Sequence, residues 1–527
     1  MTPGSYPRRL AVVGNGMAGW RFVQEVLERD LDRRLAITVV GDEPGGAYNR
    51  TQLPNVLAGG TSADNIELAD DQWYAAHGVT RRTGTAVIQI DRLNKRVYLD
   101  DGHALPYDVL VLATGGSPVL PPVDGLVRND GQLLPGAVAF HTLADCVAID
   151  QLAAKAGNTA VLGAGVLGLE TARGLAGRGL PVTLVQRGAR LMERQLDAGA
   201  SRVLTRTARS LGVHVRPSSG MRAVRQDDGQ VCGVVLDDGS ALDADLLVLC
   251  CGVRPRVELA RAAGLAVATG VVVDDQLRST DPDIFAIGEC AEHHGQTYGL
   301  VSPAWEQARV AAQVIARPAE PVSYMGSLTV TRLKAVGIEL ASLGDAATDE
   351  DQDWDWDVLD DTADIGGVEV IRFMDRSRGV YQKLVVRDGR LIGAILLGDT
   401  RTAGTITQLF DRGAALPADR ASLLMVRRNT LTTTAQSPTV LPGRATICQC
   451  NGVTKAGICA AWQDGARRVE EIATRTRATT GCGTCRDAVE GIVAWLAAAD
   501  TEPGEPGAQP QPARPPEHDK RPARATV

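Results

Sequence analysis

Cys448 and Cys450 form a Cys-x-Cys pair, and Cys482 and Cys485 form a Cys-x-x-Cys pair. Four thiolates can converge on one metal centre, either an iron–sulfur cluster or a structural zinc. The first carries electrons, while the second only holds a fold together. Zinc ribbons more often use two Cys-x-x-Cys knuckles, so the Cys-x-Cys arm leans the spacing toward iron, with zinc as the alternative. Asn451-Gly452 after the first pair is turn-forming, and Gly481 and Gly483 leave backbone N–H groups able to face sulfur. The other six cysteines are scattered and read as buried small hydrophobes, Cys459 inside a helix among them.

A second chemistry is written twice. RLAVVGNGMAGWRF (9–22) and TAVLGAGVLGLETA (159–172) each read as an apolar strand, a glycine turn and a helix start. Gly14, Gly16 and Gly19 in the first, and Gly163, Gly165 and Gly168 in the second, let the backbone approach a pyrophosphate at a helix N-terminus. Two such turns, each after a strand, specify two dinucleotide sites. In the first unit Asp42 and Glu43 follow the second strand, where one acid takes ribose hydroxyls. VLATG ends in Ala113, Thr114 and Gly115, small residues against which a cofactor can press. In the second unit Gln186 and then Arg187 stand where an acid would reject the 2′-phosphate of NADPH, so the enzyme is expected to tolerate or prefer NADPH. Glu170 lies close to the second turn, either as a catalytic carboxylate beside nicotinamide or as a solvated helix residue.

The elements around these motifs alternate. AITVV (36–40), DVLVLATG (108–115), VTLVQ (182–186) and DLLVLCCG (245–252) are strand-like with helical patterns between them, which predicts a parallel sheet in each unit. After residue 320, SLTVTRLKAVGIELASLGD and YQKLVVRDGRLIGAILLGD alternate like antiparallel strands joined by glycine turns. Around the cysteines, Ile458, Ala461 and Trp462, then Val469, Ile472 and Ala473, then Val489, Ile492, Val493 and Leu496 follow helical spacing. So small a core needs a metal staple. The acidic run at 349–361 reads as a solvated loop or a docking surface, and 432–445 as a linker.

Composition bounds the rest. A chain of 527 residues calls for roughly three or four domains. The net charge of −8 argues against a nucleic-acid or membrane-surface partner. No apolar run reaches the ~18 residues of a bilayer span, and no secretory signal precedes LAVVG. A reducing, cytoplasmic location is expected, where four clustered cysteines mean metal rather than disulfides. Among the cysteines, neither a Cys-x4-Cys nor a Cys-x-x-Cys lies in the two nucleotide units, so no redox disulfide is expected beside either nucleotide and the terminal centre becomes the candidate outlet for electrons.

The residues also resemble a known family. STDPDIFAIGECAEHHG (279–295) resembles the second FAD motif of two-dinucleotide flavoproteins, which implies that Glu289, an Asp in the family, binds the ribitol chain. The next segment, SPAWEQARVAA (302–312), resembles the helix whose N-terminus faces the flavin; Trp305 there either flanks the flavin as part of the catalytic site or is core. ICQCNGVTKAGI (447–458) through TTGCGTCRDAV (479–489) resembles the bacterioferritin-associated ferredoxin-like 2Fe–2S domain, with Cys448, Cys450, Cys482 and Cys485 at its ligand positions. EPGGAYNRTQLPNVLAG (43–59), LMERQLD (191–197), YGLVSPAWEQA (298–308) and LLGD (396–399) are similar to the flavoprotein half of the NAD(P)H-dependent assimilatory nitrite reductase large subunit, and to the electron-transfer subunit of assimilatory nitrate reductase. Related rubredoxin- and ferredoxin-type reductases place a lysine near the flavin after a Tyr-x-Arg-Pro-type segment. Here Tyr48, Asn49 and Arg50 are present, Arg50 is assigned to the cofactor, and Asn55 takes the lysine position.

The expected fold is α/β: a two-dinucleotide-binding-domain flavoprotein with FAD and NAD(P) Rossmann-like units, an α+β domain and a small helical 2Fe–2S domain. FAD binding is expected over 1–124 and 255–320, NAD(P) binding over 125–254, the α+β domain over 321–435, the cluster domain over 445–498 and a disordered tail over 499–527. NAD(P)H is expected to reduce FAD, and the 2Fe–2S cluster to pass electrons to a separate reductase, an assimilatory nitrate or nitrite reductase. The nitrite reductase large subunit continues into a sirohaem domain that this sequence does not contain, so nitrite reduction by this chain itself is not expected. The alternatives are an NAD(P)H reductase of a rubredoxin- or ferredoxin-like carrier and a redox-sensing flavoprotein. Residues 321–430 are expected to serve dimerisation or docking, which makes a homodimer a candidate assembly.

Overall fold

A computed structural model describes residues 7–320, 322–346, 368–425, 441–443, 445–448, 451–480 and 485–501. The first sheet runs in the order Ile284–Ala286, Val109–Leu112, Arg8–Val13, Leu35–Gly41 and Thr80–Thr83, every neighbour parallel. Its central residues Leu10, Ala11, Val12 and Val13 are all buried, as a parallel strand covered on both faces requires. The helices Met17–Arg29 and Val301–Ala316 pack on one another against it. The second sheet repeats the plan as Ala137–Ala139, Leu246–Leu249, Thr159–Leu162, Val182–Val185 and Val213–Arg216, again all parallel. A short antiparallel crossing, Gly116–Pro118 on Val253–Pro255, marks where the chain leaves and returns. All four strand-like runs read from the sequence are strands.

Beyond residue 320 lies an antiparallel five-stranded sheet in the order Val330–Ala335, Ile338–Gly344, Arg390–Leu397, Val380–Arg387 and Val368–Asp375. Asp388-Gly389 makes the two-residue turn between its paired central strands. The helix Ala403–Arg412 covers one face. The other face joins the second unit: Leu333, Ile338, Leu340, Tyr381 and Leu397 share a core with Leu196, Ala200, Leu204 and Ala208.

The last region pairs Thr446–Cys448 with Val453–Thr454 and then forms three helices, Lys455–Gln463, Val469–Thr476 and Arg486–Thr501. Its core, from Cys448 to Ile492, is its own. The architecture is therefore the expected mixed α/β one, with two corrections of detail. The last helix runs three residues into the segment expected as tail, where Ala497, Ala498 and Ala499 favour helix and Trp462 Nε1 donates to Asp500 at 2.9 Å. Of the six scattered cysteines, Cys146, Cys250 and Cys290 are buried, but Cys232, Cys251 and Cys459 are only half-buried. The acidic run 349–361, the linker residues 432–440 and the tail from 502 onward lie outside the described residues. Among the described residues no helix is long and apolar enough to cross a membrane.

Candidate functional site

The two glycine turns solve one steric problem twice. Gly14 sits at φ +111°, and a Cβ on it would stand 2.1 Å from the Ala113 carbonyl oxygen. Gly163 sits at φ +100°, its Cβ position 2.4 Å from the Cys250 oxygen. A Cβ on Gly19 or Gly168 would meet the oxygen of the first glycine of its own turn, at 2.0 and 1.8 Å. First and third glycines therefore let strand and helix touch, and any side chain would force them apart. The middle glycines differ: a Cβ on Gly16 or Gly165 would meet nothing within 4 Å. Each is the N-cap of its helix and supplies no side-chain cap, so the first helical N–H groups remain open to an anion.

In the first unit this turn is one wall of a groove. Gly14, Gly16, Asp42, Glu43, Arg50, Thr114, Gly115 and Glu289 all line it, together with Leu300, Val301 and Ala304 at the start of the helix Val301–Ala316. Gly19 lies behind the wall as a packing residue. Asp42 pairs with Arg256 at 2.8 Å and remains half exposed. Glu43 accepts from the Tyr48 hydroxyl at 2.6 Å and pairs with Arg50 at 2.5 Å. Arg50 also donates to the His141 carbonyl at 3.0 Å. The Thr114 hydroxyl donates to the Arg256 carbonyl at 2.9 Å. Burial raises the pKa of Glu289, opposed by the charge of Arg50. The groove thus offers open helix N–H groups, two acids just past the second strand, a sequestered carboxyl and a second helix N-terminus. The Asn15 Nδ2 is buried beside it without a hydrogen-bond partner among the described residues. These features fit an extended dinucleotide such as FAD. Trp305 does not line the groove; it is buried one residue beyond Ala304, with the Arg21 guanidinium 5.4 Å from its ring centre. Asn55 is exposed and bonded to Gln52, away from the groove.

Two residues that the sequence reading did not single out join this groove to a neighbouring cavity. His141 and Arg256 line both, and the cavity, about 590 Å³, continues along Ser117, Ala139, Asp145 and Arg254 between the two units. Desolvation, then the charges of Arg50 and Arg256, push His141 down to about 4, so it is neutral at pH 7. Arg256 follows the crossing strand immediately, a position a search for cations at the chain's return could have found. His141 carries no such signal.

In the second unit Gln186 turns back on the glycine loop, its Oε1 accepting from the Ala164 N–H at 2.9 Å. Arg187 is exposed beside it, and Glu170 is half-buried on the helix Val166–Gly177. The residues around this turn fit a second dinucleotide, with an arginine free to reach solvent-side phosphate.

Of the four paired cysteines, Cys448 and Cys485 are described, and both are buried. The Thr479 N–H donates to the Cys485 sulfur at 3.2 Å, a contact suited to a thiolate. Cys450 and Cys482 lie outside the described residues. Asn451-Gly452 is a turn, as expected, with Gly452 at φ +64°. No disulfide joins the eight described cysteines. Burial pushes the Cys146 thiol up to about 11, Cys250 to about 12 and Cys251 to about 11, so these are poor nucleophiles.

Comparison with known proteins agrees with this geometry. The profile described as "Pyridine nucleotide-disulphide oxidoreductase" matches residues 8–313, "Rubredoxin NAD+ reductase C-terminal domain" matches 330–414, and "BFD-like [2Fe-2S] binding domain" matches 446–495. The assimilatory nitrate reductase electron transfer subunit of Bacillus subtilis (strain 168) is 36% identical over 93% of this chain and 60% of its own length. The nitrite reductase [NAD(P)H] of the same organism is 34% identical over 94% of this chain and 58% of its length. The chain thus spans less than two thirds of these relatives. Among solved structures, the covalent putidaredoxin reductase–putidaredoxin complex matches with a TM-score of 0.68 and 26% identity, over 79% of this chain and 96% of that one. With a dinucleotide groove, a second glycine turn and a cysteine domain each covered by a matching profile, the chain belongs to the pyridine nucleotide-disulphide oxidoreductase family, as an FAD- and NAD(P)H-dependent oxidoreductase carrying a C-terminal 2Fe–2S domain.

Proposed function

We propose that this reductase takes electrons from NAD(P)H at the Gly163–Gly168 turn and delivers them, through FAD and the C-terminal cluster, to a separate reductase of nitrate or nitrite assimilation. When bound, FAD supplies the conversion of a two-electron hydride donor into single-electron deliveries. The chain's own residues do the rest. Gly14 and Gly16 open a helix N-terminus to the pyrophosphate, Asp42 or Glu43 takes the ribose, and Glu289 takes the ribitol. The start of the helix Val301–Ala316 turns its partial positive charge toward the ring. Cys448, Cys450, Cys482 and Cys485 hold the cluster. Glu170 approaches the nicotinamide, and Arg187 receives a 2′-phosphate.

The observation that carries this reading is where the cysteine domain sits. A Cβ on Gly452, two residues after Cys450, would stand 3.0 Å from Trp305, directly behind the groove wall. The likeness to the nitrate reductase subunit extends over 93% of this chain and so includes the cysteine domain.

An anaerobic assay with NADPH or NADH tests the acceptor, offering a nitrate reductase, a sirohaem nitrite reductase and a rubredoxin in separate reactions. Faster turnover with either of the first two supports the proposal. Preference for the rubredoxin turns it to the second reading, a carrier reductase, which the match of residues 330–414 to a rubredoxin NAD+ reductase domain favours. In steady-state kinetics Arg187→Ala should raise KM for NADPH about tenfold, the loss of one charge-assisted phosphate contact, with KM for NADH unchanged. A strong NADH preference that Arg187→Ala leaves untouched contradicts the phosphate role. Self-association as a homodimer is assigned to residues 321–430, whose edge strand Val368–Asp375 leaves Phe373 and Met374 exposed. Light scattering that finds only monomer ends that part.

A further inference from the structure

The turn after Cys450 does more than bend the chain. The Asn451 side chain reaches three ways. Its Oδ1 accepts from Asn49 Nδ2 at 3.2 Å, and its Nδ2 donates to the Arg477 carbonyl at 2.6 Å and to the Thr480 hydroxyl at 3.2 Å. Arg477 and Thr480 belong to the loop that runs toward the second cysteine pair, so one amide ties both cysteine-bearing loops to the first nucleotide unit. Asn49 lies between Tyr48 and Arg50, which both line the groove. Its own Oδ1 is occupied, accepting from the Thr51 N–H at 3.2 Å and hydroxyl at 2.7 Å, which leaves Nδ2 for Asn451.

Gly452 makes the second contact. It is left-handed, and a Cβ there would lie 2.8 Å from an Arg21 guanidinium nitrogen and 3.0 Å from the Trp305 ring. Its left-handed backbone favours glycine, and a Cβ there would press on the Trp305 ring and the Arg21 guanidinium. Trp305 follows Ala304, another groove residue. Arg21 is held over Trp305 by its ion pair with the buried Glu25. A third contact is electrostatic: Arg477, half-buried, sets its charge against Glu67 and Asp70 of the first unit. Each of the first two contacts lands on a residue adjacent in the chain to the groove wall.

We propose that the seam Asn49–Asn451 and Arg21–Trp305–Gly452 is an intramolecular docking site that positions the cysteine domain for electron transfer from the flavin groove, with Asn451 and Gly452 as its positioning residues. This rests on the relay reading above. One hydride carries two electrons and a 2Fe–2S centre takes one at a time, so each NAD(P)H requires two crossings of this seam, with a one-electron acceptor removing each electron in turn. The seam acts by holding Asn451, Gly452 and the segment Arg477–Thr480 against residues whose chain neighbours line the groove.

Two variants of the full-length protein test it. Asn49→Asp keeps the acceptor that Thr51 uses, and replaces the donor to Asn451 by a charged acceptor that the Asn451 oxygen repels. Gly452→Ala adds the one atom that Arg21 and Trp305 exclude. Iron content, flavin content and NAD(P)H–ferricyanide turnover are expected to stay within twofold of wild type. Cluster reduction by NAD(P)H, followed by rapid freeze-quench EPR, is expected to slow at least tenfold. Amide exchange in residues 477–480 is expected to rise in the same variants, a readout that does not depend on turnover. Cluster reduction at the wild-type rate in Asn49→Asp overturns the seam and leaves the relay standing. A wild-type cluster that NAD(P)H never reduces overturns the relay, and the seam's role with it. If Gly452→Ala does not load iron, Asn49→Asp decides alone.

Discussion

Two regions are appended to the nucleotide units, and they are attached in opposite ways. The antiparallel sheet beyond residue 320 is welded on. Its apolar face shares a core with the second unit, and at the centre Lys383 Nζ lies 3.0 Å from Asp197, with both side chains essentially inaccessible. The Tyr381 hydroxyl donates to the same carboxylate at 2.5 Å, and Lys383 also donates to the Ala346 carbonyl at 3.2 Å. The cysteine domain rests on the first unit instead. Its core is separate, and a side-chain amide pair, a glycine against a tryptophan ring and half-solvated charges hold it in place. A buried pair with satisfied hydrogen bonds is costly to break, whereas exposed polar contacts contribute about 1 kcal/mol or less each. The weld therefore sets shape, and the rest sets a contact that can be tuned without unfolding anything.

The largest effect should come from the resting side. Cys485→Ser is expected to abolish electron delivery to any protein acceptor while flavin reduction by NAD(P)H continues and the melting of the two nucleotide units is unchanged. Acceptor assays beside calorimetry check this. A coincident collapse of the whole fold would erase the contrast between the regions.

On the welded side, Lys383→Met leaves Asp197 buried without its cation, a loss of about 3–5 kcal/mol, read by urea unfolding. Asp197→Asn combined with Lys383→Met should recover much of it. The sign with pH follows from the same carboxylate. Backbone and side-chain hydrogen bonds and Lys383 outweigh burial and hold Asp197 below its ordinary value. Its contribution is thus complete above about pH 4, the unfolded value, and disappears as pH falls through the lower folded value. The stability gap between wild type and Asp197→Asn should close only below that point. A gap already gone at pH 5 would contradict the pairing.

A smaller effect sharpens the contrast. Gly199 lies beneath Tyr381, and a Cβ there would stand 2.8 Å from the ring. Gly199→Ala should cost about 1–3 kcal/mol by overpacking, with the rate of cluster reduction unchanged. Gly452→Ala should do the reverse.

The glycine turns, the four strand runs and the cysteine helices were legible because each is a local pattern, where periodicity and glycine spacing determine conformation within about ten residues. Asp42, Glu43, Thr114, Gly115 and Glu289 converge because they follow strand ends of one parallel sheet, which those patterns imply, whereas Arg50 reaches them from a short turn after Ala47–Tyr48, outside that sheet. The seam and the weld were not legible. Asn49 and Asn451 meet across most of the chain, and an Asn-Gly pair reads as a turn wherever it stands. Asp197 and Lys383 look in sequence like ordinary surface charges; only the packing of one sheet on one helix removes their water. His141 is invisible for the same reason, since its environment is made by Arg50 and Arg256 from distant segments. The last helix shows the limit at boundaries: Asp500 is tied to Trp462, 38 residues back, a contact that local spacing does not reveal.

The central claim is the relay from NAD(P)H through the flavin to the four-cysteine centre. Its most direct test is one anaerobic titration of the purified full-length protein with NADPH or NADH, following flavin absorbance and the EPR of the reduced cluster together. The flavin should bleach and the 2Fe–2S signal should then appear in proportion to bound iron. Protein that carries zinc without iron after anaerobic purification, or a cluster that stays silent once the flavin is fully bleached, would contradict the account.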